Sequence, residues 1–411
     1  GTYYDTEISG TNSDKTGFSV DITDDGNIVI IGIPNYSING YFTSIECGQI
    51  KIYEFDIGTL TYNQIFNKTP SLVNYNNFGK CVSISSDGNT IAVSSNIDGI
   101  YSYTFNSSTN TYDTKGSIIN SNKNMKISKD GNTIFTYSGD IYTFTNNNWS
   151  LNTVTLNKNN TWTNTNVDFN SLALSYNAKT VAIGKQSSGT KPAYVETYTY
   201  TDSTNTWDQL GQTLWPEFND DNFAHSISLS SDGLKLLVGS PNNQDTNQNT
   251  DAGGMRVYYY ITDKWIQYGL DINNPQNTNG QLGRAVSCNS DMSIIVSSTP
   301  YDTNSAIYYF KIPDIVKYDV TIVNNKFYLD GIETPTISFE PYTKYVFDQT
   351  DSSNTNNQII LTTIQDNSSN IVSDIKIHQN PGSDNSYMYF ITGSTPGTLY
   401  YMSYQTSNMG N

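Results

Sequence analysis

One short stretch of alternating polar and apolar residues recurs along about three quarters of the chain. Its clearest copy runs from Ser83 to Ser95, with the alternation continuing on both sides of Asp87-Gly88. A period of two is typical of half-buried strands, and Asp-Gly supplies the positive φ that a tight hairpin turn requires. The stretch is therefore predicted to be a β-hairpin. A chain that repeats it must build its fold from many short antiparallel strands.

Six such hairpins occur before residue 315, with turns at positions 26, 88, 131, 178, 233 and 292. Each is followed by a variable loop and an aromatic strand such as Ile52-Tyr-Glu-Phe55, and in two repeats by a clear fourth strand that begins at Trp207 or Trp265. Four antiparallel strands per repeat are typical of a propeller blade. We expect a six-bladed β-propeller over residues 1–315, closed by the N-terminal strand Tyr3–Gly10, which pairs into the last blade.

The pattern changes at Tyr318, where short strand-like runs separated by turn signals continue to Leu399-Tyr-Tyr-Met402. Short strands at this spacing over about 95 residues favour a small β-sandwich. We therefore expect an all-β protein of two domains, a propeller over 1–315 and a sandwich over 316–411.

Charge and hydropathy exclude two classes of partner. The formal net charge is −17 and no run of Lys or Arg occurs, so a nucleic acid or an anionic membrane surface is not expected to bind. No apolar run approaches the 18 or so residues of a membrane span. The three cysteines, Cys47, Cys81 and Cys288, lie far apart, which favours small buried strand residues and leaves a single disulfide as the alternative.

Catalytic and metal motifs are sparse. The two histidines, His225 and His378, fall in different domains, and acid pairs such as Asp24-Asp25 fall in turns, where they serve turn chemistry. The predicted inner strands offer mostly Ser, Ile, Val and Ala, whereas propeller enzymes need acids, histidines or arginines that converge on the channel. We expect no enzyme and no cofactor. Calcium at the loop from Asn242 to Asp251, with Asp245 and Asp251 as ligands, stays open as a minor alternative.

Aromatic residues are the best candidates for contacts with a partner, because exposed Tyr and Trp stack on sugars and anchor protein interfaces. Tyrosines in the third strands are expected to pack between blades. The loop residues Tyr36, Tyr41, Trp162 and Trp215 are instead predicted to contact a ligand or partner.

Two family resemblances follow from the motifs. The Ser-Asp-Gly-Asn hairpin, the Tyr-rich strand and the Trp-x-Gln-Leu-Gly strand resemble the integrin-alpha-like, or FG-GAP-like, propeller repeats of marine bacterial surface proteins and of large DNA viruses of algae and protists. The C-terminal segment, on Phe347-Asp-Gln-Thr-Asp-Ser-Ser-Asn354 and the run from Thr398 to Gly410, resembles a small cupredoxin-like domain of marine phage and giant-virus structural proteins.

The second resemblance implies a copper site whose ligands are two histidines, a cysteine and a methionine. Carried over by position, the two histidines fall on Asn357 and Thr406, the cysteine on Ser403 and the methionine on Met409. Only Met409 matches, so we expect a sandwich without copper.

Together these features predict a non-enzymatic protein of the virion surface or of a fibre, which attaches to a host or decorates a capsid through its propeller loops. The expected partners are other virion or surface proteins and a host glycan or receptor. The expected location is the virion surface or the extracellular space. A secreted adhesin or cell-wall protein of a cellular organism is the main alternative, and a propeller-fold enzyme is less favoured.

Overall fold

The computed structural model divides the chain into two compact units, residues 1–310 and 311–411. The residues that it describes are 13–39, 44–70, 77–121, 124–152, 171–185, 192–218, 221–243, 252–261, 263–269, 271–275, 279–300, 306–312, 314–340, 343–365, 367–372, 375–392, 398–406 and 409–410. Almost all regular structure in these residues is β, as the hairpin pattern predicts. The described chain contains no helix of the length and apolarity that a bilayer crossing requires.

In the first unit, the described strands form six main sheets that follow one another along the chain. Their bounds, in chain order, are β1 (Ser19–Ile22), β2 (Ile28–Ile33), β3 (Ser37–Asn39), β4 (Ser44–Glu46), β5 (Gln49–Asp56), β6 (Thr61–Lys68), β7 (Val82–Ile84), β8 (Thr90–Ser94), β9 (Ile100–Asn106), β10 (Thr111–Thr114), β11 (Met125–Ile127), β12 (Thr133–Thr136), β13 (Ile141–Thr145), β14 (Asn148–Leu151), β15 (Ser171–Leu174), β16 (Thr180–Lys185), β17 (Tyr194–Thr201), β18 (Thr206–Gln209), β19 (Ser226–Leu229), β20 (Lys235–Ser240), β21 (Gly254–Ile261), β22 (Lys264–Gln267), β23 (Ile272–Asn273), β24 (Val286–Cys288), β25 (Ile294–Thr299) and β26 (Ala306–Lys311).

The first sheet has the order β1-β2-β5-β6, with the hairpin β3-β4 inserted between its second and third strands. The next four sheets hold β7 to β10, β11 to β14, β15 to β18 and β19 to β22 in sequential order, with β23 beside β21. The sixth holds β24-β25-β26. All six predicted hairpins are present as antiparallel pairs, and five of the sheets have the predicted path of four strands. The predicted closing strand Tyr3–Gly10 lies outside the described residues.

The turn chemistry of the hairpin recurs in the first five sheets, and in the sixth Asn289 takes the place of the hydroxyl residue. In the second sheet the Ser85 hydroxyl donates to the Asp87 carboxylate (2.7 Å) and accepts from the Thr90 N–H (2.8 Å), while Gly88 adopts a φ of +72°. Glycine takes this conformation at no steric cost. Where the fourth and sixth copies lack glycine, Ala178 and Met292 adopt the same left-handed φ, of 54° and 57°. The hairpin therefore survives loss of its usual turn residue.

Tryptophan residues join the third sheet to the second and the fifth sheet to the fourth. The ring of Trp149 packs on Phe144 of its own sheet at 5.2 Å between centroids, and its indole N–H donates to the Ser102 hydroxyl of the preceding sheet at 2.7 Å. Trp265 repeats the arrangement, donating to the Thr197 hydroxyl at 2.6 Å. Buried indole groups usually have such a partner, and here the same contact packs two sheets together and orients them.

The first strands of successive sheets lie side by side. The residues two positions before each turn form backbone hydrogen bonds from one sheet to the next: Asp24 N–H to Ser86 C=O, Ser86 N–H to Lys129 C=O, Tyr176 N–H to Ser231 C=O and Ser231 N–H to Ser290 C=O. The Lys129 ammonium also pairs with the Asp24 carboxylate, which joins the third sheet to the first.

Several apolar side chains on β1 of the first sheet and on β26 of the sixth sheet are exposed. Val20 and Ile22 on β1 are 57% and 44% exposed, whereas the equivalent Val82 and Ile84 on β7 are each 2% exposed. On β26, Ile307 is 78% exposed. Side chains that are buried between neighbouring sheets elsewhere in the first unit are therefore exposed on the first and sixth sheets.

The second unit contains a six-stranded sheet of order β29-β28-β27-β30-β33-β32 and a two-stranded sheet of β31 and β34. Within the six-stranded sheet, β27 and β30 pair in parallel, and the other described pairs are antiparallel. Two single-turn 3-10 helices occur at Ser352–Asn354 and Ser368–Asn370. The strand bounds are β27 (Asp314–Val323), β28 (Lys326–Leu329), β29 (Ile332–Glu333), β30 (Thr343–Asp348), β31 (Ile359–Thr362), β32 (Lys376–His378), β33 (Tyr387–Ile391) and β34 (Tyr400–Ser403).

The two sheets of this unit share one apolar core. Phe327, Phe347 and Met388 of the large sheet are fully buried in one cluster with Leu361 and Tyr401 of the small sheet. Alternation along the strands places these residues on the inner faces, which is the arrangement expected of a sandwich.

Candidate functional site

The predicted contact residues fall in different parts of the molecule. Trp215 is 55% exposed and its ring lies 5.7 Å from that of Tyr194. Tyr36 is half-buried after β2, where its carbonyl accepts the N–H groups of Cys47 (3.0 Å) and Gly48 (3.1 Å), so its backbone holds the β3-β4 insertion in place. Tyr41 and Trp162 lie outside the described residues.

Trp215 lies on a segment that is fixed at both ends. At one end, the neighbouring Leu214 exchanges two backbone hydrogen bonds of 2.9 Å with Val195. At the other, the Phe218 N–H donates to the Asp221 carboxylate at 3.2 Å. Phe218 is itself 62% exposed. The segment therefore holds two exposed aromatic rings on an anchored backbone, and Phe218 is a contact candidate that the sequence prediction missed.

A buried arginine supports the same segment. Arg256 on β21 is 2% exposed and donates through Nε and Nη2 to both carboxylate oxygens of Asp271, at 2.8 and 2.7 Å. Its Nη2 also lies 3.0 Å from the carboxylate of Glu217, two residues after Trp215. A bidentate guanidinium pair of this kind fixes geometry as well as charge.

Arg256 and Asp271 each favour the charged form of the other. Burial alone would lower the pKa of Arg256, but hydrogen bonds and charge from Asp271 raise it above its usual value. Burial would likewise raise the pKa of Asp271, yet Arg256 and Gln267 hold it below its usual range. Asp271 is therefore an anion at neutral pH, and the cluster supports the exposed loop structurally.

The part of the predicted calcium loop that is described belongs to this cluster. Asn243 is 5% exposed, and its amide Nδ2 lies 3.4 Å from Asp271 Oδ2. Asp245 and Asp251 lie outside the described residues. Within the described ranges, no group of three or more His, Cys, Asp or Glu residues is arranged to hold a metal ion.

Three of the four positions carried over from the cupredoxin-like pattern, Asn357, Ser403 and Thr406, meet in the second unit. The Thr406 hydroxyl donates to Asn357 Oδ1 at 2.9 Å, the Ser403 hydroxyl donates to the same oxygen at 3.4 Å, and the Thr406 N–H donates to the Ser403 hydroxyl at 3.1 Å. Met409 is 1% exposed and belongs to the core. These donors do not suit copper, since hydroxyls and an amide replace the thiolate and imidazoles.

The carboxylate of Asp21, on the first strand of the first sheet, is held in structural contacts. The Asp21 carboxylate accepts from the Ser83 hydroxyl (2.8 Å) and the Ile84 N–H (3.1 Å), and it lies 3.6 Å from the Lys126 ammonium. Asp21, more than burial, sets the pKa of Lys126, which is raised above its usual value.

The histidines and cysteines show no catalytic arrangement within the described residues. His225 Nδ1 lies 3.4 Å from the Asn222 amide, and burial followed by the charge of Arg284 lowers its pKa. His378 is exposed and stacks on Tyr387 at 4.9 Å. None of the three cysteines forms a disulfide, in line with the prediction, but they are not all buried strand residues. Cys47 is buried and lies outside the strands, Cys81 is half-buried just before β7, and Cys288 is half-buried on β24.

No protein-family model matches the chain, and no curated protein matches it. Among solved structures, hydrazine synthase from Kuenenia stuttgartiensis is similar at 11% identity and a TM-score of 0.44, over 75% of this chain and 99% of that chain. That likeness is too distant to assign a function.

Proposed function

We propose that the first unit is a six-bladed β-propeller of the integrin-alpha-like type and that the second is a cupredoxin-like sandwich without metal. The hydrogen bonds between equivalent inner residues, such as Ser86 and Lys129, support a circular order of sheets. The contact of Lys129 with Asp24 supports it further, because it brings the third sheet close to the first, as expected when successive sheets curve around an axis. The convergence of Asn357, Ser403 and Thr406 supports the second assignment.

The function that this architecture supports best is a non-enzymatic role at the surface of a virion or fibre, in host attachment or capsid decoration. The observation that carries it is the anchored segment with Trp215 and Phe218 exposed. Aromatic residues held on a rigid backbone bind partners at low cost in conformational entropy. Asp21, the acid on the inner strands, is occupied by structural hydrogen bonds, which disfavours an enzyme.

The proposal is tested by measuring binding of the labelled full chain to host cells. The double variant W215S/F218S is expected to bind at least about tenfold more weakly, since residues at the centre of an interface contribute about 2 kcal/mol or more each. Tyr404→Ser is the matched control, because Tyr404 is 59% exposed in the second unit. Equal binding by the wild type and the double variant would exclude this segment as the contact site.

A further inference from the structure

A cleft of about 170 Å³ opens between the first and second sheets. Aromatic rings of Phe66, Phe105 and Tyr112 form one part of its wall, and Glu54, Asp87 and Asn89 supply polar groups. None of its described lining residues is Lys or Arg. The cleft thus combines an aromatic surface with two carboxylates and lacks a described positive charge of its own.

The equivalent place between the second and third sheets shows what such a cleft accommodates. There the Lys115 ammonium donates to the Gly131 carbonyl at 2.8 Å, the Thr90 hydroxyl at 3.1 Å and Asn132 Oδ1 at 3.2 Å. The same ammonium lies 4.6 Å from the centroid of the Phe144 ring. Carbonyl and amide oxygens together with an aromatic face are a receptor for an alkylammonium.

The repeat relates the two clefts residue by residue. The turn residues Gly88 and Asn89 occupy the places of Gly131 and Asn132, and the ring of Phe105 occupies that of Phe144. Each of these phenylalanines packs on the aromatic residue of the fourth strand, at 5.4 and 5.2 Å. Asn89 and Phe105 therefore supply an amide group and an aromatic face in the first cleft, whereas the Gly88 carbonyl accepts a hydrogen bond from the Tyr112 hydroxyl at 2.6 Å and Ile28 stands in the place of Thr90.

The lysine itself is missing from the first cleft. Lys115 donates its backbone N–H to Ser102, and the strand residue equivalent to Ser102 is Ile52, which pairs with Phe66. Phe66 accordingly takes the place of Lys115, and its ring lies 5.3 Å from that of Tyr112. No cation of the chain enters from this position.

The negative charge of the first cleft is greater than that of the second. The Glu54 carboxylate, at the strand position equivalent to Thr104, forms no hydrogen bond or ion pair with any described residue. Both carboxylates line the cleft together with Tyr112. Burial, and then the charges of Asp87 and Glu54, raise the pKa of the Tyr112 hydroxyl to about 12. Asp87 accepts hydrogen bonds from Ser85 and Asn89, so Glu54 is the anion of the cleft that is left to pair with a ligand. An anion beside aromatic faces favours a cation with an apolar stem.

We propose that the cleft between the first and second sheets binds an alkylammonium group, the chemistry of a lysine side chain or of a small free amine. Its apolar stem lies against Phe66 and Phe105, and its charge faces Glu54 and Asp87. The site is independent of the proposed virion role, since its chemistry does not depend on where the protein acts.

The experiment is an NMR titration of the full chain with n-butylammonium, with 1-butanol as the neutral control. A ligand of about five heavy atoms is expected to bind with a dissociation constant on the order of 1 mM, and butanol at least about tenfold more weakly. Glu54→Gln is expected to weaken butylammonium binding about fivefold or more. Asp384→Asn, which removes one charge from an exposed site in the second unit, is expected to leave binding unchanged. Equal binding of butanol and butylammonium, or an unchanged constant in a folded Glu54→Gln variant, overturns the proposal.

Two reciprocal variants test the comparison between the clefts. Phe66→Lys supplies an internal ammonium and should abolish butylammonium binding. Lys115→Met vacates the second cleft, and butylammonium should raise the melting temperature of this variant more than that of the wild type. Titration with Nα-acetyl-lysine methylamide separates the sources: binding equal to that of butylammonium indicates a partner's lysine side chain, and weaker binding indicates a free amine. Unaltered butylammonium binding by folded Phe66→Lys would contradict the proposal.

Discussion

Replacing Arg256 with Met is expected to lower the free energy of unfolding of the first unit by about 3 kcal/mol at neutral pH. Arg256 is 2% exposed and Asp271 is 20% exposed on the side chain, so the variant leaves a largely buried carboxylate without its cation. Loss of one partner from a buried pair costs about 3 to 5 kcal/mol. The lower end applies because Gln267 still donates to Asp271 at 2.9 Å.

The effect of this variant should depend on pH. In the wild type Asp271 has a lowered pKa, so its contribution to stability is present above the pKa of the unfolded chain, about 3.9, and is lost as pH falls through the folded value. In the variant the unpaired carboxylate is costly only when it is ionised. Burial without Arg256 raises the pKa of this carboxylate, so the difference between wild type and variant is expected to begin to shrink above about pH 4, as the carboxylate of the variant protonates, and to shrink further below about 4.

Urea unfolding followed by tryptophan fluorescence measures both effects. Lys179→Met is the matched control, since its ion pair with Asp202 is exposed on both sides and its loss should cost less than about 0.5 kcal/mol. The double variant R256M/D271N removes both charges and should be more stable than Arg256→Met alone. The reasoning is refuted if Arg256→Met costs less than about 1 kcal/mol, or if its cost is the same at neutral and acid pH.

Three further variants test packing and the second unit. In thermal unfolding, Trp265→Phe is expected to cost about 1 to 2 kcal/mol more than Trp207→Phe. The reason is that Trp265 Nε1 donates to Thr197 and Leu210, whereas Trp207 Nε1 has no described partner. Equal costs would show that the indole hydrogen bonds contribute nothing to stability. Gly131→Ala should destabilise more than Gly26→Ala, since both have positive φ but only at Gly131 would the new Cβ meet Thr90 Cβ, at 2.6 Å; a reversed order would contradict this. The triple variant N357H/S403C/T406H is expected to bind Cu(II) with intense visible absorption, because it places two imidazoles and a thiolate at converging positions. Ser403→Cys alone should not bind copper in this way. A folded triple variant that binds no copper would argue against a cupredoxin-like domain.

Local structure could be predicted from the sequence because each hairpin carries its own turn chemistry. The Ser85 and Asp87 contacts need only neighbouring residues, and their recurrence fixes six turns even where Ala178 replaces glycine. The four-strand path follows from the same repeat, and so does the packing of aromatic strands between sheets. The convergence of Asn357 with Ser403 was accessible through the cupredoxin-like pattern alone.

Contacts between distant residues could not be predicted in the same way. Arg256 and Asp271 lie 15 residues apart in different segments, and the available signal was an arginine inside an otherwise apolar and aromatic strand. The exposed Phe218 has no motif, because its exposure depends on how Glu217 and Asp221 anchor the segment. The cleft at Glu54 emerges only when two equivalent interfaces are compared in three dimensions.

The central claim, a structural role on a virus particle, is tested most directly by mass spectrometry of gradient-purified virions from the source of the protein. The account predicts that the chain is recovered at many copies per particle and stays with the particles through the gradient. Absence from the particles, with the protein found in the medium or on cell walls, would contradict the virion role and favour a secreted adhesin.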